Sequence, residues 1–209
     1  MALRARPEAA VVMAGMNDTM RSDFDGGRLQ ADLASVVSSL ITAGTTVVTI
    51  RYHDHSRVFR LPGPLRRALA TRIEELNAAF DAVVQRHEVG VVDLDRMPGA
   101  YHPAAWAVDR LHPSELGHRM LARAFARQLA DAGVAVPHEV SLNCAGGAQV
   151  GGLDHVGWLV LKGLPWLLRR GSDIVPHVLA TTIRTAWANR GRRRLPGTTT
   201  EAPVQERST

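Results

Sequence analysis

The sequence predicts an α/β fold, a parallel sheet with helices on both faces. Two observations carry that prediction. Short apolar or β-branched runs alternate, along the first 131 residues, with longer segments whose apolar residues recur at helical spacing. The two groups best suited to chemistry, Gly15-Met16-Asn17-Asp18 and Asp109-Arg110-Leu111-His112, each fall in a loop beyond a strand-like run. Such loops, at the carboxyl ends of parallel strands, are where these sheets gather their active sites.

Taken in order, Ala9-Ala10-Val11-Val12-Met13-Ala14 ends in Gly15 and has the profile of a strand buried on both faces. Leu29, Leu33, Val36, Val37, Leu40 and Ile41 follow at helical spacing, with Gly44 as the stop. Thr46-Val47-Val48-Thr49-Ile50 is a β-branched strand. Beyond Pro62, Gly63 and Pro64, a long helix sets Leu65, Leu69, Ile73, Leu76, Phe80, Val83 and Val84 on one stripe. Gly90-Val91-Val92-Asp93-Leu94 is the next strand. A loop through Pro98, Gly99 and Pro103 leads to Asp109 and His112, and Leu116, Met120, Leu121, Phe125 and Leu129 line the helix after it. Residues 1–133 therefore make one domain, and 134–152 a Gly-rich connector. Residues 153–189 make a helical extension bearing Trp158, Trp166 and Trp187, and 190–209 a disordered basic tail.

The 209 residues are enough to bury a real core, and the hydrophobic and charged fractions are those of an ordinary globular chain. The net charge of +5 is not spread evenly: residues 1–150 carry 16 arginines against 16 acids, so the whole excess lies in 151–209. A neutral body with a basic tail argues against a nucleic-acid-binding core. The single Cys144 excludes an intramolecular disulfide. The apolar run behind the basic start is too short for a signal peptide, and no segment reaches the roughly 20 apolar residues of a membrane span. The expected compartment is the cytoplasm. The apolar segment 156–170, flanked by Lys162, Arg169 and Arg170, could touch a membrane surface. Packing back over the domain is the favoured reading, because its apolar residues run nearly all round.

An imidazole whose Nδ1–H is held by a carboxylate can accept a proton at Nε2 from a hydroxyl nucleophile. Asp109 and His112 have the local spacing for that pairing. Asn17 offers an amide donor at a strand end, where it could meet a developing oxyanion, and Gly15 allows a tight strand exit. The plainer readings are a helix entrance, with Pro113 in the first turn and Glu115 against the dipole, and a simple Gly-Asn-Asp turn. The occurrence of both groups, in this order and at two strand ends, favours chemistry. Tyr52-His53-Asp54-His55 leaves a strand toward the same cleft. Its His-x-His could bind metal, but no third ligand is identifiable, and substrate contact or loop polarity is preferred.

On these residues the chain is similar to the SGNH, or GDSL-type, hydrolases, serine esterases of flavodoxin-like α/β fold. Gly15-Met16-Asn17-Asp18 resembles the family's G-x-N-D block, and Asp109-Arg110-Leu111-His112 its D-x-x-H block. Leu76-Asn77-Ala78-Ala79 and Val92-Asp93-Leu94 are similar but less specific. The resemblance covers roughly residues 1–131. It implies His112 as general base, Asp109 as the third triad member and Asn17 as an oxyanion-hole donor, with Gly15 and Asp18 in support. It also implies a small ester or acetylated substrate and no metal or organic cofactor. The family's G-D-S-[LF] block, which carries the nucleophilic serine, and its second block, which supplies a Gly N–H, are both absent. Ser22, Ser35, Ser38, Ser39 and Ser56 lie in the wrong elements, and Ser114 is too close to His112 in sequence. No nucleophile is identifiable. The expectation is an SGNH-type fold that is N-terminally incomplete, lacking a βαβ unit or more, and inactive as given. In-frame Gly-Asp-Ser codons ~60–70 codons upstream would fit that expectation. The alternative is a non-catalytic interaction module on the same scaffold, binding a surface through its basic tail.

Overall fold

The computed structural model describes residues 2–58, 63–87 and 89–146, with the isolated positions 157, 158 and 161. The segments read as a helical extension and a basic tail otherwise lie outside the described residues. Three strands, β1 (Ala9–Val12), β2 (Thr46–Arg51) and β3 (Gly90–Asp93), alternate with three long helices, α1 (Gly26–Thr42), α2 (Gly63–His87) and α3 (Glu115–Asp131). The strands form one parallel sheet in the order β1-β2-β3, with Ala9 beside Thr46 and Val48 beside Gly90. This is the parallel α/β sheet the alternation predicts, and it is consistent with the flavodoxin-like fold that the family resemblance implies.

Two successive crossovers in the same direction put α1 and α2 on one face, by the right-handed rule for parallel strands. They pack on each other and on β2, while α3 packs on β2 and β3. Val47, Val48, Thr49 and Ile50 are consecutive and all buried, which requires cover on both faces of the central strand. The second cover is therefore α3. The core joins Leu33, Val37 and Leu40 of α1 to Ile73, Leu76, Phe80 and Val83 of α2, with Phe125 of α3.

β1 differs from expectation. Ala10 and Val12 pack against the core, but Val11 is 44% and Met13 46% exposed. Among the described residues that face of the strand is open where Val11 and Met13 stand, since α3 packs chiefly on β2 and β3. The apolar run alone could not reveal this, since a strand half covered and a strand fully covered can carry the same residues.

Helix ends follow local chemistry. Asp25 caps α1 by accepting from the Gly27 and Arg28 amides, and Ser114 caps α3 by accepting from Gly117 N–H. Past α3 the expected connector is an extended strap over its described part, 134–146. Arg123 donates to the Val140 carbonyl and Arg119 to that of Ser141, while Glu115 accepts from the Ala145 amide. These three side chains stand four residues apart on one helix stripe, so the strap runs back along α3 toward its N-terminus. No described helix is long and apolar enough to cross a membrane.

Candidate active site

The β1 exit is a tight turn. Gly15 adopts φ +88°, and its carbonyl accepts from the amides of Asp18 and Thr19. A Cβ there would lie 2.6 Å from Leu76 Cδ1 and 2.9 Å from Leu29 Cδ2, so the position needs glycine for both its backbone and its space. Thr19 is buried and donates to the Met16 carbonyl at 2.6 Å. Asn17, at the head of the short 3-10 turn Asp18–Met20, makes no side-chain capping bond. It is exposed, as is Asp18. Its amide is left to donate to something outside the turn, as an oxyanion donor must.

The second element is the loop between β3 and α3. Trp106 and Pro113 form an antiparallel bridge, and the Ala107 amide donates to the His112 carbonyl at 2.8 Å. The loop is thereby pinched shut with Asp109, Arg110 and Leu111 at its tip. Asp109 Oδ1 accepts from the amides of Leu111 (2.9 Å) and His112 (3.1 Å), and its Oδ2 meets His112 Nδ1 at 2.7 Å. One carboxylate therefore fixes both the backbone of the turn and the orientation of the ring. Burial pushes the Asp109 carboxyl up, but the bonds from the His112 ring and from the two amides outweigh it and hold it below the ordinary value. Asp109 is 18% exposed and His112 70%: the acid is sheltered and the imidazole faces outward. Gly117 lets α3 begin hard against this loop, since a Cβ would collide with the Ala105 carbonyl oxygen. Arg110 takes φ +58°, a left-handed conformation that costs a residue with a Cβ about 1–2 kcal/mol.

Between these elements lies the β2 exit. The sequence reading of Tyr52-His53-Asp54-His55 as a polar loop facing the cleft is corrected: His53 and His55 are only 2% and 3% exposed. Their rings stack 4.6 Å apart, and both pack on Trp106, at 4.7 and 5.1 Å between centroids. Tyr101 adds an edge contact to His53. Burial lowers both imidazoles, His53 to about 3 and His55 to about 4. Among the described residues no group of three His, Cys, Asp or Glu could hold a metal ion. Trp106 and Tyr101 escaped the sequence reading because no periodicity marks ring contacts made between loops.

Tyr52 ties the parts together. Its hydroxyl donates to the Ala14 carbonyl at 2.9 Å, beside Gly15, and burial pushes that phenol up to about 12. The buried Asn77 of α2 clamps the Tyr52 backbone, accepting from its N–H and donating to its C=O, each at 2.8 Å. From Ala14 through Tyr52 to the His53–Trp106 contact, the β2 exit links the turn bearing Asn17 to the loop bearing His112. Both sequence-predicted groups stand at the carboxyl ends of parallel strands.

Ser114 is occupied structurally: its hydroxyl donates to the Ala104 carbonyl and accepts from Gly117. Among the described residues no serine or threonine hydroxyl is bonded to the His112 ring, whose hydrogen bond goes to Asp109. The arrangement can accept a proton and can present an amide donor.

Compared with known proteins, the chain matches the family model described as the GDSL-like Lipase/Acylhydrolase family over residues 1–120, more than half its length. No curated protein and no solved structure matches it.

Proposed function

We propose that this chain, which belongs to the GDSL-like lipase/acylhydrolase family, supplies the general base and an oxyanion donor for hydrolysis of a small ester or acetylated substrate. The observation that carries the reading is the His112–Asp109 pair. The sheltered carboxylate engages Nδ1 at 2.7 Å, and an exposed ring is left with Nε2 for the nucleophile's proton. Asn17 would donate to the oxyanion from the β1 exit. Such a donor contributes about 3–4 kcal/mol to transition-state stabilisation.

The nucleophile is a serine brought by a further strand on the edge of β1, which among the described strands pairs with β2 alone. A strand there would end beside the turn bearing Asn17. The chain by itself then lacks turnover. The experiment is hydrolysis of a short-chain nitrophenyl ester by the chain as it stands and by the product of the same gene read upstream through an in-frame Gly-Asp-Ser. The first is expected to equal its His112→Ala control, and the second to show turnover that His112→Ala removes. His112-dependent turnover by the chain alone would refute the external nucleophile. An extended product without turnover would refute the hydrolase reading.

A further inference from the structure

The turn bearing Asn17 leaves the sheet through a glycine, so something outside the turn must fix its direction. Gly15 adopts φ +88°, and with no Cβ it has no side chain of its own to hold that torsion. The turn is closed internally. The Gly15 carbonyl accepts from the Asp18 and Thr19 amides, and the buried Thr19 donates to the Met16 carbonyl. Those bonds keep its shape, but its angle to the sheet depends on the peptide between Ala14 and Gly15. Leu76 and Leu29 close on Gly15 from α2 and α1, yet apolar contacts do not select a peptide plane.

The β2 side supplies the missing tie. Backbone pairing between β1 and β2 runs from Ala9 beside Thr46 to Val12 beside Thr49, and Ala14 lies two residues beyond it. There side-chain hydroxyls extend the attachment. Thr49 donates to the Val12 carbonyl at 3.0 Å, and Tyr52 donates to the Ala14 carbonyl at 2.9 Å. The Ala14 carbonyl belongs to the peptide whose nitrogen is that of Gly15. The Tyr52 bond therefore fixes one side of the torsion that swings the turn. Tyr52 is itself held firmly: it is buried, its ring meets Phe80 edge-on at 5.7 Å, and Asn77 holds its backbone by two bonds of 2.8 Å. Burial pushes the phenol up to about 12, so the hydroxyl stays a donor across the neutral range.

We infer that Tyr52 is a positioning residue for Asn17, its hydroxyl on the Ala14 carbonyl setting the direction in which the β1 exit presents the Asn17 amide. An oxyanion donor contributes most when its N–H already points at the developing charge. Without the hydroxyl the peptide between Ala14 and Gly15 can rotate, and the closed turn moves as a body on the end of β1. The inference rests on reading Asn17 as the oxyanion donor. Its test uses no ester turnover, so the two can fail separately.

The test is nitrogen-15 NMR relaxation of the full chain, comparing wild type with Tyr52→Phe and Thr49→Val. Phe keeps the ring against Phe80 and removes one oxygen atom. Val removes the neighbouring hydroxyl, whose carbonyl partner lies within the paired strand. In wild type the backbone N–H groups of Asn17 and Asp18 are expected near the order parameter of rigid backbone, about 0.85. Tyr52→Phe is expected to drop both below about 0.6, while Val48, Ile50 and Leu76 keep their wild-type values. Thr49→Val is expected to lower the urea midpoint as Tyr52→Phe does, yet leave Asn17 rigid. That contrast separates positioning from loss of overall stability, which order parameters of the folded chain do not register. Unchanged Asn17 and Asp18 in Tyr52→Phe would overturn the inference, and so would a Thr49→Val variant that loosens them equally. Should the Phe variant not fold, the wild-type chain decides. A Tyr52 hydroxyl proton shielded from exchange, with a nuclear Overhauser effect to the Gly15 α-protons, is expected there, and a freely exchanging one would overturn the inference.

Discussion

Gly15 and Gly117 show how single residues set the geometry of the site. Gly15 combines a left-handed backbone with a space already occupied by Leu76 and Leu29. Gly15→Ala therefore adds backbone strain to overpacking, and is expected to cost about 2–4 kcal/mol in urea unfolding. Its Asn17 turn should exchange amide protons faster at the same time. Asp109 acts on the same scale. It holds two amides and a ring with one carboxylate, so the D-x-x-H spacing legible in the sequence is also a backbone turn. The sequence showed which residues pair. It could not show that Arg110 between them sits left-handed, because arginine carries no mark of such a conformation.

At the scale of elements, alternation and apolar period located the three strands and three long helices of the described residues. They succeeded because each helix presents a stripe to a sheet and each strand is short and β-branched or apolar. They failed where cover depends on a neighbour's position. β1 reads as fully buried but is half covered, and Val36 and Ile41 read as core but are exposed on α1. The His-x-His exit reads as polar because imidazole usually is, whereas Trp106 and Tyr101 arrive from a distant loop to enclose it. Asn77, by contrast, is a polar residue within an apolar helix stripe, and it clamps the β2 exit by both Tyr52 backbone groups. Asn77→Leu strands a buried donor and acceptor, at about 1–3 kcal/mol each. A thermal melt should place that variant well below wild type, and Asn77→Asp, which keeps the acceptor for Tyr52 N–H, between them.

For the molecule as a whole, the buried imidazoles tie stability to pH. His53 and His55 hold folded-state values of about 3 and about 4 against 6.5 in the open chain. Above pH 6.5 they are neutral in both states and their burial has no pH dependence. Below it the unfolded chain takes up protons that the folded chain refuses, so stability falls as pH drops from 6.5 toward 4. The slope is about 1.4 kcal/mol per pH unit for each imidazole. Asp109 and Asp95, both held below the ordinary carboxylate value, add their loss only at lower pH. Urea midpoints measured from pH 7 to 4 should decline steadily, and His53→Leu should flatten the decline. This sensitivity and the catalytic reading meet in one loop, since the rings that resist protonation stand behind the imidazole meant to accept a proton. On the proposed reading, Asp109 reserves His112 Nε2 for that proton. Long-range proton–nitrogen NMR of the neutral His112 ring reads this out. The expected result is a proton on Nδ1, with Nε2 bare, and loss of that preference in Asp109→Asn. A neutral ring protonated on Nε2 in the wild-type chain would contradict it.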